Sequence, residues 1–156
     1  MSGGPLVERL VDGKSEACRA ILTDLPEWFG IPEALEEYVA TAERIDMLAC
    51  RSGGRVVAFV TLRKTSDAAC EIVAMGVMRA SHRLGYGRAL VLAAEEWTRE
   101  RGCRFLHVKT LGASHPSTYY AATRRFYDAV GFAPLEELDG FWPGNPCLIM
   151  VKTVRP

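Results

Sequence analysis

The segment His82-Arg83-Leu84-Gly85-Tyr86-Gly87-Arg88-Ala89 limits what this chain can fold into more than any other. It follows an apolar run from Glu71 to Met78 and opens a helical pattern from Ala89 to Glu100. Glycines at a strand-to-helix turn free the backbone from Cβ clashes, so N–H groups can close around an anion. The unbonded N–H groups of a helix start add partial positive charge. A pyrophosphate is the natural occupant of such a turn. Spacing sets it apart from other glycine loops. A dinucleotide fingerprint wants a third Gly or Ala where Leu90 sits, with an acidic residue about twenty positions on. A P-loop wants Gly-Lys-Ser/Thr, which Gly87-Arg88-Ala89 does not supply. A glycine turn without a ligand is the other reading if the segment is taken alone.

The segment has company along the chain. Glu71-Ile72-Val73-Ala74-Met75-Gly76-Val77, then His82-x-x-Gly85-x-Gly87, then Phe126-Tyr127-x-x-x-Gly131-Phe132 resembles the GNAT acetyltransferase superfamily. That family's signature is a strand leading into Gln/Arg-x-x-Gly-x-Gly/Ala, with Tyr-x-x-x-Gly-Phe after a later helix. His82 stands where the family usually has Gln or Arg, and Tyr120 where it often has Asn. The resemblance implies a mixed, mostly antiparallel α/β sheet of about six or seven strands, flanked by about four helices. It also implies acetyl-CoA as cofactor. The backbone of Gly76, Val77 and Met78 would align the pantetheine arm. His82, Arg83, Leu84, Gly85, Tyr86, Gly87 and Arg88 would hold the pyrophosphate.

Composition narrows the partners. The 156 residues suit a single domain over 1–156, with helices packed on a sheet. Lys plus Arg and Asp plus Glu stand at 19 each, which argues against a coat for nucleic acid or an anionic membrane. Arg79, His82, Arg83 and Arg88 still make a local basic patch where a phosphate-rich ligand would lie. The five cysteines are scattered without a Cys-x-x-Cys pair, so buried thiols in a reducing compartment are expected, not disulfides or a metal site. No apolar run approaches the length of a membrane span, and we expect a cytoplasmic protein.

Periodicity orders the elements. Leu6 to Val11 reads as a short strand, and Ser15 as the cap of a helix carrying Ala17, Ile21 and Leu22. Pro26 ends that helix, and Pro32 opens a second one with Leu35, Val39 and Ala42 at helical spacing. Met47 to Arg51, Ser52-Gly53-Gly54 and Arg55 to Arg63 form a hairpin, and Cys70 to Met78 is the next strand. Ala89 to Arg101 is a helix, Arg104 to Thr110 a strand, and Tyr119 to Val130 a helix closed by Gly131. Phe132 to Glu137 and Cys147 to Thr153 are final strands, separated by a turn-rich segment with Trp142, Pro143, Gly144 and Pro146.

Acetyl transfer to an amine needs a held thioester, a neutral amine, a donor for the oxyanion and a proton for the departing thiolate. The resemblance implies Tyr127 as that proton donor; packing among Phe126 and Val130 is the plainer reading. Glu71, eleven residues before His82, resembles the general-base glutamate of the histone-acetylating branch. Burial on an apolar strand disfavours the charged carboxylate and suits it to take an ammonium proton. Its alternative is a strand-end carboxylate in solvent or paired with Arg63 or Lys64. His107 reads as a satisfied strand histidine, and His115 as a loop residue near a cleft. Trp28, Phe29, Tyr120 and Trp142 are candidates for the acceptor pocket, where rings would hold an apolar body or a cation. They serve equally well as packing.

Two functions follow. One is an acetyl-CoA-dependent N-acetyltransferase acting by direct attack on a small-molecule amine or a protein amino group. The other is a CoA-binding sensor of the same fold without transfer. A larger acyl group or a hydroxyl acceptor stays open, and a homodimer is compatible with the habits of relatives.

Overall fold

A computed structural model of the chain describes residues 4–154. The elements are β1 (Glu8–Leu10), α1 (Lys14–Thr23), α2 (Pro32–Ala42), β2 (Asp46–Ser52), β3 (Arg55–Lys64), β4 (Ala69–Val77), α3 (Tyr86–Glu100), β5 (Phe105–Leu111), α4 (Thr118–Ala129), β6 (Ala133–Trp142) and β7 (Asn145–Thr153). A 3₁₀ turn, Arg79–Ser81, separates β4 from the glycine loop. The strands form a seven-stranded mixed sheet in the order β1-β2-β3-β4-β5-β7-β6, as the α/β expectation required. The described residues pack as two compact units, 4–63 with 72–97, and 64–71 with 98–154.

In the first unit, β1, β2 and β3 run antiparallel. Val57 and Phe59 alternate along β3 with Ala58, Val60 and Leu62, and all are buried, so both faces of the strand are covered. One face meets α1 and α2 through Ile21, Leu22, Val39 and Ala42, which cluster with Met47, Ala49, Phe59 and Ala74. Ile21 and Leu22 are wholly buried, each worth about 1.5–3 kcal/mol. The β2–β3 turn has Gly53 and Gly54 at φ 60° and 80°, which suits a two-residue hairpin. In the second unit β7 pairs antiparallel with both β5 and β6, Lys109 lying opposite Ile149 and Ile149 opposite Glu136. Ser117 caps α4 by accepting from the Tyr120 N–H at 3.3 Å.

Several boundaries differ from the sequence reading. The first strand is only Glu8–Leu10. Gly13, left-handed at φ 76°, is the cap residue of α1, and Ser15 lies inside the helix. The Glu43 carboxylate, reaching across from beyond α2, accepts from the Ser15 N–H at 3.0 Å in the cap's place. Helix α3 starts at Tyr86 instead of Ala89, because the Ala89 N–H already closes a turn on the Gly85 carbonyl at 3.1 Å. The supposed turn-rich segment is strand: β6 runs to Trp142 and β7 starts at Asn145, so only Pro143 and Gly144 turn, Gly144 at φ 73°.

Candidate functional site

In the first unit the end of β4, the glycine loop and the α1–α2 loop meet. Gly76 is a packing necessity: an added Cβ would lie 2.9 Å from Cγ2 of Ile21 and 3.3 Å from Cδ2 of Leu22. Two residues on, the Met78 N–H bonds the Val57 carbonyl at 2.8 Å and its side chain enters the core. Tyr86 also packs against that core and offers a ligand mainly its backbone, whereas the Met78 carbonyl already accepts from the Ser81 N–H at 2.8 Å. Upstream, the buried Thr61 hydroxyl accepts from the Ala74 N–H at 3.1 Å and lies 3.3 Å from the Ala74 carbonyl. A side chain thus serves both backbone groups of a β4 residue.

The loop itself is shaped as an anion cradle would need. Arg83 and Gly85 are left-handed, at φ 63° and 88°. The N–H groups of Tyr86, Gly87 and Arg88 open α3 and have no carbonyl to bond within it. A Cβ on Gly85 would meet nothing closer than Pro5 Cδ at 3.9 Å, so the approach to the loop is open. Arg83 and Arg88 are exposed. These donors, the dipole of a fifteen-residue helix and two arginines fit a pyrophosphate.

The rest of the anticipated basic patch is used otherwise. His82 Nε2 lies 2.7 Å from the Val77 carbonyl, and its ring meets Trp28 edge-on at 6.3 Å. It therefore braces the end of β4. The Arg79 guanidinium bonds the Glu27 carboxylate and, at 3.2 Å, the Asp24 carbonyl, while the Arg79 N–H bonds Asp24 Oδ2 at 2.7 Å. This bond holds the Glu27 carboxyl below its ordinary range. A cleft of about 440 Å³ lies here, lined by Asp24, Arg55, Val57, Met78, Arg79, Ala80 and Ser81. Trp28 and Phe29 both rest against the core, Phe29 edge-on to Tyr38 at 5.9 Å.

In the second unit Glu71 is buried, and it pairs with a residue the sequence reading did not name. Lys109 Nζ sits 2.8 Å from Glu71 Oε2, because Lys109 projects from the neighbouring strand β5. The same ammonium lies 5.7 Å from the centre of the Phe141 ring, which contacts Trp142 at 6.1 Å. Cys147, on β7, is close enough to feel both charges, although burial is what mainly raises its thiol. His107 Nε2 is 3.0 Å from the Thr65 hydroxyl, the satisfied arrangement expected of it. His115 Nδ1 is buried without a hydrogen-bond partner, in a loop that Glu137 fastens by accepting from Ser114 Oγ at 3.1 Å. Tyr127 is buried in α4, edge-on to Phe126 and Phe132 at 5.3 Å each. Tyr120, three residues into α4, is half-buried.

Lys109 and Thr61 were not singled out from the sequence. Alternation on β5 places Lys109 on the same face as His107, a signal that was there to read. Thr61 was visible only as the one polar residue between Val56 and Leu62. Among the described residues there is no cluster of three or more metal-ligating side chains, and no helix long and apolar enough to cross a membrane.

Residues 15–132 match the model of the acetyltransferase (GNAT) family. Among solved structures, a GNAT-family protein from Desulfovibrio desulfuricans superposes with a TM-score of 0.80 at 19% identity, covering 96% of this chain and 99% of the other. The ribosomal-protein-S18-alanine N-acetyltransferase from Escherichia coli gives 0.76 at 18% identity, covering 97% and 94%. A GNAT family acetyltransferase from Elizabethkingia anophelis with acetyl-CoA bound gives 0.72 at 13%, covering 97% and 99%. No curated protein matches the chain significantly. The structural likenesses establish the fold, the family match covers most of the chain, and the chain accordingly belongs to the acetyltransferase (GNAT) family.

Proposed function

We propose that this protein is an acetyl-CoA-dependent N-acetyltransferase that modifies a primary amine, on a small molecule or a protein, by direct attack in a ternary complex. The observation that carries the reading is the loop from Arg83 to Arg88: left-handed at two positions, open to solvent and ending in three N–H groups free of helix bonds. Bound acetyl-CoA would supply the thioester. Arg83, Arg88 and the α3 N-terminus would hold its pyrophosphate, and the backbone of Gly76, Val77 and Met78 would align its arm. Tyr127 would give the departing thiolate its proton, and Glu71 would take a proton from the incoming ammonium. Holding both reactants at once is worth several kcal/mol of barrier, and no acyl-enzyme nucleophile is required.

The test is CoA thiol release from acetyl-CoA across polyamines, aminoglycosides, amino acids and short lysine peptides, with a no-acceptor control. Acceptor-dependent release is expected. A chain that acetyl-CoA stabilises against heat but that transfers to no amine would belong to the sensor reading. A chain that acetyl-CoA leaves unstabilised would refute the pyrophosphate loop.

A further inference from the structure

Glu71 holds an ammonium in a setting that ordinary surface ion pairs lack. The residue is only 4% exposed. A carboxylate this deeply buried is costly unless a cation stays close. One such cation is Lys109 Nζ at 2.8 Å, and the Phe141 ring lies 5.7 Å from the same nitrogen. A carboxylate on one side and an aromatic ring on the other is how proteins retain alkylammonium groups. The enclosure is also one that can open. The Lys109 side chain keeps 23% of its surface in solvent, and Phe141 is half exposed on β6, at the end of the strand order. In its chemistry the occupant is an n-butylammonium tethered to β5.

We propose that Glu71 and Phe141 form the subsite for the ammonium of the acceptor, an unbranched primary alkylamine, and that Lys109 fills this subsite until the acceptor displaces it. The inference rests on the acetyltransferase reading. It makes Lys109 a specificity-determining residue: an acceptor must outcompete a tethered primary ammonium, which aromatic amines and hydroxyls cannot do. Once the acceptor is seated, one proton passes from its ammonium to Glu71. The freed nitrogen lone pair forms the C–N bond as the thioester C–S bond breaks. The thiolate leaves with a proton from Tyr127, and the second proton lost by nitrogen returns to Tyr127 through solvent.

The experiment strips out the tethered ammonium and offers a free one. Lys109→Ala, Lys109→Ala/Glu71→Gln and the unaltered chain are melted in n-propylammonium chloride or in sodium chloride of equal ionic strength. Lys109→Ala should gain roughly 3–6 °C at about ten times the Kd, while the unaltered chain, in which the amine must displace Lys109, gains far less and the double variant nothing. If Lys109→Ala folds only with n-propylammonium present, that supports the subsite equally. Equal melting of Lys109→Ala in the two salts overturns it. Phe141→Leu provides a variant whose Glu71–Lys109 pair is left in place. It should raise the KM for a primary alkylamine about two- to five-fold with the KM for acetyl-CoA unchanged; an unchanged amine KM overturns the proposal. The melting readout needs no turnover. Ammonium rescue in a chain that transfers no acetyl group would keep the subsite and refute the transferase, and turnover without rescue would do the reverse.

Discussion

Tyr127 and Thr61 are both buried, yet replacing them should disturb different things. Tyr127→Phe keeps the ring that packs against Phe126 and Phe132 and removes only a hydroxyl. We expect kcat to fall by about 10²-fold or more, as for loss of a general acid, while the heat stabilisation conferred by acetyl-CoA stays unchanged. A normal kcat would remove Tyr127 from the reaction. Thr61→Val matches the shape but leaves the Ala74 N–H and carbonyl without the hydroxyl that now serves them. Stranding buried backbone groups costs about 1–3 kcal/mol each, which urea titration would register as a lower midpoint at constant slope. Sequence made Tyr127 visible because its neighbours Phe126, Gly131 and Phe132 sit at fixed spacing across the end of one helix. It hid Lys109 because the link to Glu71 spans 38 positions and depends on which strands are neighbours. The same holds for His82: its type suggested a phosphate donor, and the direction of its ring is decided by Val77 and Trp28.

Among the elements, long periodic ones were legible and short or edge ones were not. Helix α2 begins at Pro32 and ends at Ala42 as the spacing of Leu35, Val39 and Ala42 predicts. Strand β6 was ended at Glu137 in the sequence reading because the residues up to Pro146 look turn-rich; on an edge strand a polar side chain such as Asp139 simply faces water, and the strand runs on to Trp142. The contact between α1 and β4 gives the prediction at this scale. Gly76→Ala would push a methyl to within 2.9 Å of Ile21. Overpacking of this kind costs about 1–3 kcal/mol. Ile21→Leu in the same chain should recover part of the loss, because leucine keeps the volume but has no β-branch methyl at the position of the clashing Cγ2. No recovery would mean that the helix as a whole had shifted.

Across the molecule as a whole the thiols are buried, and the shifted groups make stability depend on pH at both extremes. All five cysteines are free and buried. Burial pushes the Cys18 thiol up to about 12 and Cys70 up to about 11. Because these folded values lie above the ordinary 9.0, the thiols' contribution is complete below about pH 9 and is lost as pH rises through 11 to 12. An aromatic disulfide reagent near pH 8 should label the native chain slowly and all five thiols at once in denaturant; rapid native labelling would contradict the burial. At the other end, Glu27, Glu36 and Glu43 are held below the ordinary carboxyl value of 4.5 by bonds to Arg79, Arg19 and Ser15. Their contribution is present above 4.5 and should fade as pH falls through the lower folded values, seen as a declining Tm in acid. A Tm that held steady there would show these surface bonds to be energetically idle.

One consequence concerns timing between ligands. The α1–α2 loop and the turn after β4 share Glu27 with Arg79 and Trp28 with His82, and His82 in turn grips Val77. Segments clasped in this way lose their freedom together, so whatever immobilises Trp28 prepays the ordering of the turn after β4. By reciprocity a ligand seated on Trp28 and one seated at the turn after β4 tighten each other's grip by one common factor. His82→Ala unfastens the clasp, and the two ligands should then bind as strangers, each indifferent to the other's concentration.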